Sequence, residues 1–492
     1  MLISSIYASA YDIEQGGLYF SYINEGKDLQ FDSCQAGVVA LVIPDEVTYH
    51  DRTRKVTAIG SKACRGDSSI VAVAIPNTVV KIGDNAFVRT AITNLIIPGS
   101  VEEIGTFAFA GCRSLTSISF GSGVKTIGEQ AFMYCVNLTK VVLPVNLETL
   151  GKRAFEFCQG LTELDIRSGN IQGLTNLPSV KKLTIGPKVN TLNVLGDYAK
   201  DGKYLEELNI DDLGTWCNLT LGNPLPLREI SSGTPTKINV GGNPVGDLNI
   251  PDGVTRISKS IFNNWPITGV IIPNSVTELE EGCFANNKQL RTVSIGTGIT
   301  KIPEGCFENS MVNNLQLPST IREIGARAFM GNTFPTITLP NTLRRIGRMA
   351  FKGSKLTSIT IPNSVKFVGA AAFADIADLS RADVNCDTLD CNAFKNCTSM
   401  KQLTLGPNVK CFASTPIDTE PRYEKDITDG QIFIGCPLNA VICHFENPFP
   451  FVENMFEKDT YFNATLMIPS GTMNRFKSTD FWGKFIYITA SK

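Results

Sequence analysis

The chain has 492 residues, of which 45 are basic and 47 acidic, so its formal net charge is −2. Proteins that bind nucleic acids or anionic membranes are usually strongly basic, so this balance of charges indicates that the chain belongs to neither class. No apolar run reaches the length of about 18 residues needed to cross a bilayer, so we expect no transmembrane segment.

The first ten residues, MLISSIYASA, are apolar and end in small residues typical of a secretory signal-peptide cleavage site. The basic segment of a complete signal peptide is absent, so residues 1–10 are either a signal-peptide remnant or an accidental resemblance. We expect an exported protein whose mature chain starts near Tyr11. Residues 11–56 are predicted to form an N-terminal cap with a hairpin-like start.

A phenylalanine then recurs every 21 to 23 residues through two long stretches of the chain. A fixed period in the twenties indicates a solenoid of stacked repeats. We therefore predict regular repeats at 57–167 and 258–410. The recurring residues are Phe87, Phe109, Phe132 and Phe155, then Phe262, Phe284, Phe307, Phe329, Phe351, Phe373 and Phe394.

Each repeat follows one template: Leu-x-x-Ile-x-Ile-Pro, then Val-x-x-Ile-Gly, then Ala-Phe, and three residues later Cys, Ser or Asn. The alternating first segment predicts a strand with one buried face, ended by a proline that cannot extend the ladder. The glycine, for example Gly83 or Gly128, provides either a positive-φ corner or a close backbone approach. The Ala-Phe step predicts a tight turn or a single helical turn.

The template weakens in three places. Residues 168–257 are predicted to be degenerate repeats with longer loops, and 411–439 an irregular insertion. Residues 440–492 are predicted to form a C-terminal cap closed by an aromatic plug that includes Phe476, Trp482 and Phe485.

The template resembles the BspA-like (Treponema-type) leucine-rich repeats over roughly residues 38–470. The resemblance implies an α/β fold: a right-handed leucine-rich-repeat solenoid, or horseshoe, with a parallel β-sheet along one face. Short turns or helices would lie on the other face, with capping elements at both ends. It also implies a cell-surface or secreted protein of Bacteroides-like bacteria, with no catalytic residues to transfer.

The fourteen cysteines follow the repeat in large part. Cys112, Cys135 and Cys158 stand three residues after the recurring phenylalanine, where a cysteine acts as a small buried hydrophobic residue. We expect free thiols at these positions. Disulfides between stacked repeats, or among the less regular cysteines from Cys386 to Cys443, remain the alternative.

The residues needed for catalysis are sparse. The two histidines, His50 and His444, lie far apart in sequence, so a nucleophile–histidine pair is not expected. The spacing from Cys386 to Cys397 only weakly resembles a zinc site. Glu163, Asp165 and Glu207 are the nearest match to paired catalytic carboxylates, but we expect a solvated surface there. We predict a non-enzymatic protein without metal or cofactor.

Binding by outward-facing side chains is the remaining option. Two sets of candidate partner-binding residues follow from the repeat alignment, although ordinary solvated charges would give the same pattern. The first set lies on predicted strands: Lys140, Glu163, Asp165, Lys182 and Glu207. The second is a basic stripe of Arg322, Arg344 and Lys366 at 22-residue spacing, flanked by Arg327, Arg345 and Arg348.

We therefore predict an extracellular binding or adhesion protein that presents an extended repeat surface to a protein partner, in the host matrix or on another cell. The alternative is a surface glycan-binding protein for polysaccharide capture, which predicts stacked Trp or Tyr side chains on the strand face. The predicted strands, including one with Thr336 and Thr338 facing outward, do not supply such side chains. We expect a monomer.

Overall fold

The computed structural model describes residues 11–171, 174, 177, 179–192, 204–222, 225–228, 234–413, 415–417, 430–451 and 453–490. The signal-peptide remnant predicted at 1–10 lies outside these residues, as does much of the insertion predicted at 411–439. The chain divides into two units, Met1–Pro244 and Val245–Lys492. Each unit is a stack of repeats and is described by itself.

Most repeats contribute a long strand of three or four residues and a short strand of two. The long strands of the first unit are Ala40–Val42, Ala72–Ala74, Asn94–Ile97, Ser117–Phe120, Lys140–Val142, Glu163–Ile166, Lys182–Ile185, Glu207–Ile210 and Lys237–Val240. Its short strands are Lys81–Ile82, Glu103–Ile104, Thr126–Ile127, Thr149–Leu150, Asn170–Ile171, Thr191–Leu192 and Thr220–Leu221, and Asn243–Pro244 pairs antiparallel with the last long strand.

The second unit repeats this plan. Its long strands are Asp247–Asn249, Gly269–Ile272, Thr292–Ile295, Asn314–Gln316, Ser358–Ile361, Arg381–Val384, Gln402–Leu405, Ala440–Cys443, Thr465–Ile468 and Tyr487–Ala490. Its short strands are Arg256–Ile257, Glu278–Leu279, Lys301–Ile302, Glu323–Ile324, Arg345–Ile346, Phe367–Val368, Thr388–Leu389 and Cys411–Phe412.

Apart from Asn243–Pro244, the long strands of the repeats pair with long strands and the short strands with short strands, in parallel along each stack. The leucine and isoleucine positions point inward, so Leu164 and Ile166 are buried while Glu163 faces out. The predicted parallel sheet is therefore confirmed. The short strands were not predicted, because two residues are too few to show an alternating pattern.

The turns around the recurring phenylalanines form a third ladder. The N–H of Phe87 donates to the carbonyl of Ala108 in the next repeat (2.7 Å), and Phe109 donates to Ala131 (2.8 Å). The rings stack nearly parallel, with centroids 5.2 Å apart for Phe87 and Phe109. These rings are fully buried, and burying one contributes about 1.5–3 kcal/mol. They form the central row of the core.

Helices are few among the described residues. The α-helices are Leu213–Asn218, Lys458–Asn463 and Met473–Lys477, and 3₁₀ turns occur at Asn24–Gly26, Glu453–Met455 and Trp482–Lys484. The Ala-Phe segments form turns rather than helices. The helical part of the predicted α/β class is therefore small.

The N-terminal segment differs from the repeats because its strands are mostly antiparallel. Ile13–Gln15, Leu18–Ile23 and Asp28–Cys34 pair in sequence, and Glu46–Tyr49 forms a hairpin with Arg52–Ile59. Both residues of that hairpin turn, His50 and Asp51, have positive φ (49° and 59°), as tight hairpins require.

The structure decides between the two roles proposed for the repeat glycine. A Cβ on Gly128 would lie 2.5 Å from the carbonyl carbon of Gly105 and 2.6 Å from the nitrogen of Thr106, so neighbouring repeats approach too closely for a side chain. The positive φ values occur instead at nearby residues such as Gln130 (53°). Close approach, and not a positive-φ corner, explains this glycine.

The strand predicted at Thr336 and Thr338 is wrong, because residues 335–340 form no strand. Pro335 stands inside this segment and has no N–H to donate to a ladder. Its carbonyl still accepts a bond from the N–H of Thr357 (2.9 Å). The long-strand sheet is interrupted here, and the next one begins at Ser358–Ile361.

The phenylalanine stack continues past the predicted insertion. Phe433 stacks on Phe394 (5.7 Å) and Phe456 on Phe433 (5.0 Å). The aromatic plug is present beyond them: Trp482 is buried among phenylalanine rings, and its Nε1 donates to the carbonyl of Phe449 (2.9 Å).

Candidate functional site

The outward side chains of the long strands in the first unit form an exposed surface, here called the long-strand face. Strand register places Lys140, Glu163, Lys182, Glu207 and Lys237 in one row. The signs of the charges alternate along this row. The first set of predicted binding residues is therefore brought together on one face.

These charges are paired with one another. Lys140 contacts Glu163 (3.4 Å) and Lys182 contacts Glu207 (3.3 Å). A hydrogen bond from Asn209 and the neighbouring Lys182 lower the pKa of Glu207 below its ordinary value, which keeps the carboxylate charged.

Near this row, at the ends of two of the strands, Arg167 bridges Asp165 and Asp211. Its Nε lies 2.6 Å from an Asp165 oxygen. Carboxylates held by cations in this way are poorly placed to act as catalytic acids or bases. Their arrangement fits a charged, solvated surface.

Apolar side chains occupy the N-terminal part of the same face. Val39, Val42, Val71 and Ile96 are exposed and define the apolar patch, with Val42 at 65% and Ile96 at 70% relative exposure. The strands that carry them are neighbours, because Val71 donates a backbone bond to Val39 and Thr93 donates one to Val71. The candidate binding residues named from the sequence began at Lys140, so this patch was missed.

The basic stripe of the second unit is only partly formed. Arg322, Arg344 and Lys366 are exposed, as the spacing predicts. Lys366 contacts Asp387 (3.3 Å), and Arg344 donates to the carbonyl of Ser364 (3.2 Å). Neither Arg322 nor Arg344 has an acidic partner within the described part of the chain.

The flanking arginines serve mainly internal contacts. Arg327 binds Glu304 (2.9 Å) and Glu308 (3.3 Å), and the guanidinium of Arg345 lies 4.5 Å from the centre of the Phe367 ring. Arg348 is 3% exposed, so its predicted place beside an exposed stripe is wrong. It follows the repeat glycine at a position that points into the stack.

A cleft of about 690 Å³ lies along the short strands of the second unit. Its acidic lining is largely neutralised by ion pairs: Glu280 with Arg256 (2.9 Å), Glu281 with Lys259 (2.6 Å), Glu304 with Arg327 (2.9 Å) and Glu323 with Lys301 (3.0 Å). This cleft therefore offers no uncompensated pair of carboxylates of the kind that glycoside hydrolysis needs.

The cysteines at the repeat position have a role beyond filling space. The thiol of Cys112 donates to the carbonyl of Phe87 (3.1 Å), and that of Cys135 to the carbonyl of Phe109 (3.4 Å). Ser310 and Asn332 make the equivalent bonds to Phe284 (2.8 Å) and Phe307 (2.7 Å). A donor to the phenylalanine carbonyl explains why the template has Cys, Ser or Asn here.

Cys112 and Cys135 are present as free cysteines. Burial raises the pKa of Cys112 to about 11. Cys283 and Cys306 are also free, with their sulfur atoms 3.5 Å apart in neighbouring repeats. Buried neutral thiols are unreactive as nucleophiles.

The positions of the histidines do not suggest a catalytic site. His50 lies in the N-terminal hairpin turn against Tyr49 (4.0 Å between ring centres), and His444 is exposed next to the strand Ala440–Cys443. Across the described ranges, no three His, Cys, Asp or Glu side chains are grouped so that they could hold a metal ion. Nor does any helix in those ranges have the length and apolar character to cross a membrane.

Comparison with known proteins identifies the family. The model of the BspA type leucine-rich repeat region matches six copies, at residues 57–177, 243–335 and 322–436, which is more than half of the chain. No curated protein sequence matches the chain.

The search of solved structures finds similar chains of low sequence identity. A leucine-rich repeat protein from Bacteroides ovatus is 21% identical, with 87% of this chain and 99% of that chain covered and a TM-score of 0.46. A leucine-rich cell surface protein from Faecalibacterium prausnitzii is 22% identical, with 75% and 94% covered and a TM-score of 0.33. The pneumococcal vaccine antigen PcpA is 18% identical, with 98% of each chain covered and a TM-score of 0.33. On the evidence of the six repeat matches, this chain belongs to the BspA type of leucine-rich repeat proteins.

Proposed function

We propose that this protein is an exported, non-enzymatic binding protein that docks a protein partner on the long-strand face at a bacterial surface. The observation behind the proposal is the apolar patch beside the row of paired charges. An exposed apolar centre next to a polar rim is the usual composition of a protein–protein interface.

The two parts of the face have different roles in this proposal. Val42 and Ile96 supply apolar area that becomes buried on binding. The row from Lys140 to Glu207 lies at the rim, where charges contribute mainly to orientation and association rate. Arg322, Arg344 and Lys366 remain a separate candidate surface for an anionic partner in the second unit.

An array of host matrix proteins, bacterial surface proteins and oligosaccharides, probed with the intact chain, tests the class of partner. We expect binding to one or more proteins. This binding should depend only weakly on salt, because the centre of the proposed interface is apolar. Binding to oligosaccharides alone would instead support the polysaccharide-capture alternative, and binding to neither class would contradict the proposal.

A further inference from the structure

The turn side of the first unit carries two exposed aromatic rings that the repeat does not require. Tyr134 and Phe157 each stand two residues after a recurring phenylalanine, and their rings stack 4.7 Å apart at 14°. Tyr134 is 44% exposed, and its hydroxyl has no hydrogen-bond partner among the described residues.

The backbone at this position makes such side chains unexpected. In the second unit the residues two after each stacked phenylalanine from Phe262 to Phe433 all have positive φ and are all Gly, Asn or Asp, the types that tolerate it best. They are Asn264, Asn286, Asn309, Gly331, Gly353, Asp375, Asn396 and Gly435.

In the first unit the same backbone position holds Arg89 (59°), Tyr134 (61°) and Phe157 (60°) beside Gly66 and Gly111. Strained residues that the fold does not need are characteristic of functional surfaces.

Gly111 opens a slot in this row. It lies between Arg89 and Tyr134, which are two repeats apart, or about 9.5 Å at the usual strand spacing. Because Gly111 has no side chain, the Arg89 side chain can lie beside it, with its Cγ 3.1 Å from the place of a Cβ on Gly111. The slot belongs to a cavity of about 470 Å³, also lined by Arg113 and Ser114. This volume lies in the range of small-ligand sites.

The charge of the slot is uncompensated. Neither the Arg89 nor the Arg113 guanidinium has an acidic partner within the described part of the chain, whereas the lysines of the long-strand face at Lys140 and Lys182 are paired. Two free guanidinium groups beside an aromatic ring favour a ligand that combines a carboxylate with a ring of partly apolar faces.

We infer that this slot binds an acidic glycan through a uronate ring. The C–H face of the sugar packs on Tyr134, and its carboxylate accepts hydrogen bonds from Arg89 and Arg113. The site is separate from the long-strand face, so it is independent of the protein docking proposed above.

Calorimetric titration of the intact protein tests this inference with a trimer of galacturonic acid and a hyaluronan tetrasaccharide. At least one should bind, and methyl esterification of its carboxylates should weaken binding about tenfold or more. A pentaglutamate peptide carries the charge without the ring and should bind at least about tenfold more weakly. No binding of either oligosaccharide, or equal binding of the peptide, would overturn the inference.

Substitutions at the repeat position two residues after the phenylalanine, where Gly111 and Tyr134 stand, test the location of the site. Gly111→Asn should displace the Arg89 side chain, because a Cβ there would lie 3.1 Å from the Arg89 Cγ, and should weaken binding about tenfold or more. The backbone is kept because Asn286 and Asn309 adopt the same positive φ at equivalent positions. Tyr134→Asn should weaken binding and leave stability unchanged or higher. Arg52→Gln removes an equal charge at an exposed position of the N-terminal hairpin, outside the slot, and should leave the affinity unchanged. Unchanged binding by the Gly111→Asn protein, with native circular dichroism, would place the ligand elsewhere and overturn the assignment.

Discussion

At the scale of single residues, the position three after each recurring phenylalanine shows how polar chemistry is built into the core. Cys135 is buried and still donates a hydrogen bond to the carbonyl of Phe109. From sequence alone this cysteine is interpreted as a small hydrophobic residue, and that interpretation is incomplete. The presence of Ser310 and Asn332 at the same position was the available signal, since the three types share a donor.

The two interpretations of Cys135 predict opposite rankings of substitutions. If the hydrogen bond matters, Cys135→Ser should be tolerated, whereas Cys135→Val should lower the free energy of unfolding by about 0.5–1.5 kcal/mol. Urea denaturation of both variants measures this difference. A valine variant more stable than the serine variant would show that the position needs only apolar volume.

The pKa of Cys112 predicts a loss of stability at alkaline pH. Its value is 9.0 when unperturbed and about 11 in the folded protein, because burial disfavours the thiolate. The folded state therefore favours the protonated thiol, which adds to the free energy of unfolding. This stabilisation is complete below pH 9 and is lost between pH 9 and about 11. Thermal unfolding across this range should show a smaller decline for Cys112→Ser than for the wild type. An identical decline would show that other groups account for it.

At the scale of secondary-structure elements, the long strands and the phenylalanine stack could be predicted because their periods are visible in the sequence. The short strands could not be predicted, because a strand of two residues shows no alternating pattern. The strand expected around Thr336 fails because Pro335 lacks a donor. Phe433 and Phe456 were missed because Phe433 follows Phe394 at a spacing of 39 instead of 21 to 23, although the stack itself continues.

This continuity predicts a large effect of Phe433→Ala. Removing the ring leaves a cavity between two stacked phenylalanines and should lower the free energy of unfolding by about 3–5 kcal/mol. Phe462→Ala is the matched control, since Phe462 is exposed and its loss should cost less than about 1 kcal/mol. Chemical denaturation measures the free energy of unfolding of both variants. Equal losses in the two variants would mean that Phe433 is not part of the central row of the core.

At the scale of the whole molecule, the repeat family followed from the sequence template, but the functional surfaces followed only in part. The charges from Lys140 to Glu207 are on one face as predicted, yet ion pairs neutralise most of them. The apolar patch and the Tyr134 slot depend on exposure and backbone conformation, which the repeat template does not encode. Side chains that depart from the template are therefore the best sequence signal for function in this protein.

The most direct test of the proposed function compares one substitution in each unit. Ile96→Asp places a charge in the apolar patch, and Ile271→Asp places the same charge at an exposed long-strand position of the second unit. Biolayer interferometry against the protein partner found on the array should show affinity reduced about tenfold or more for Ile96→Asp and by less than about twofold for Ile271→Asp. Unchanged affinity of the Ile96→Asp protein, or equal loss in both variants, would contradict docking on the long-strand face.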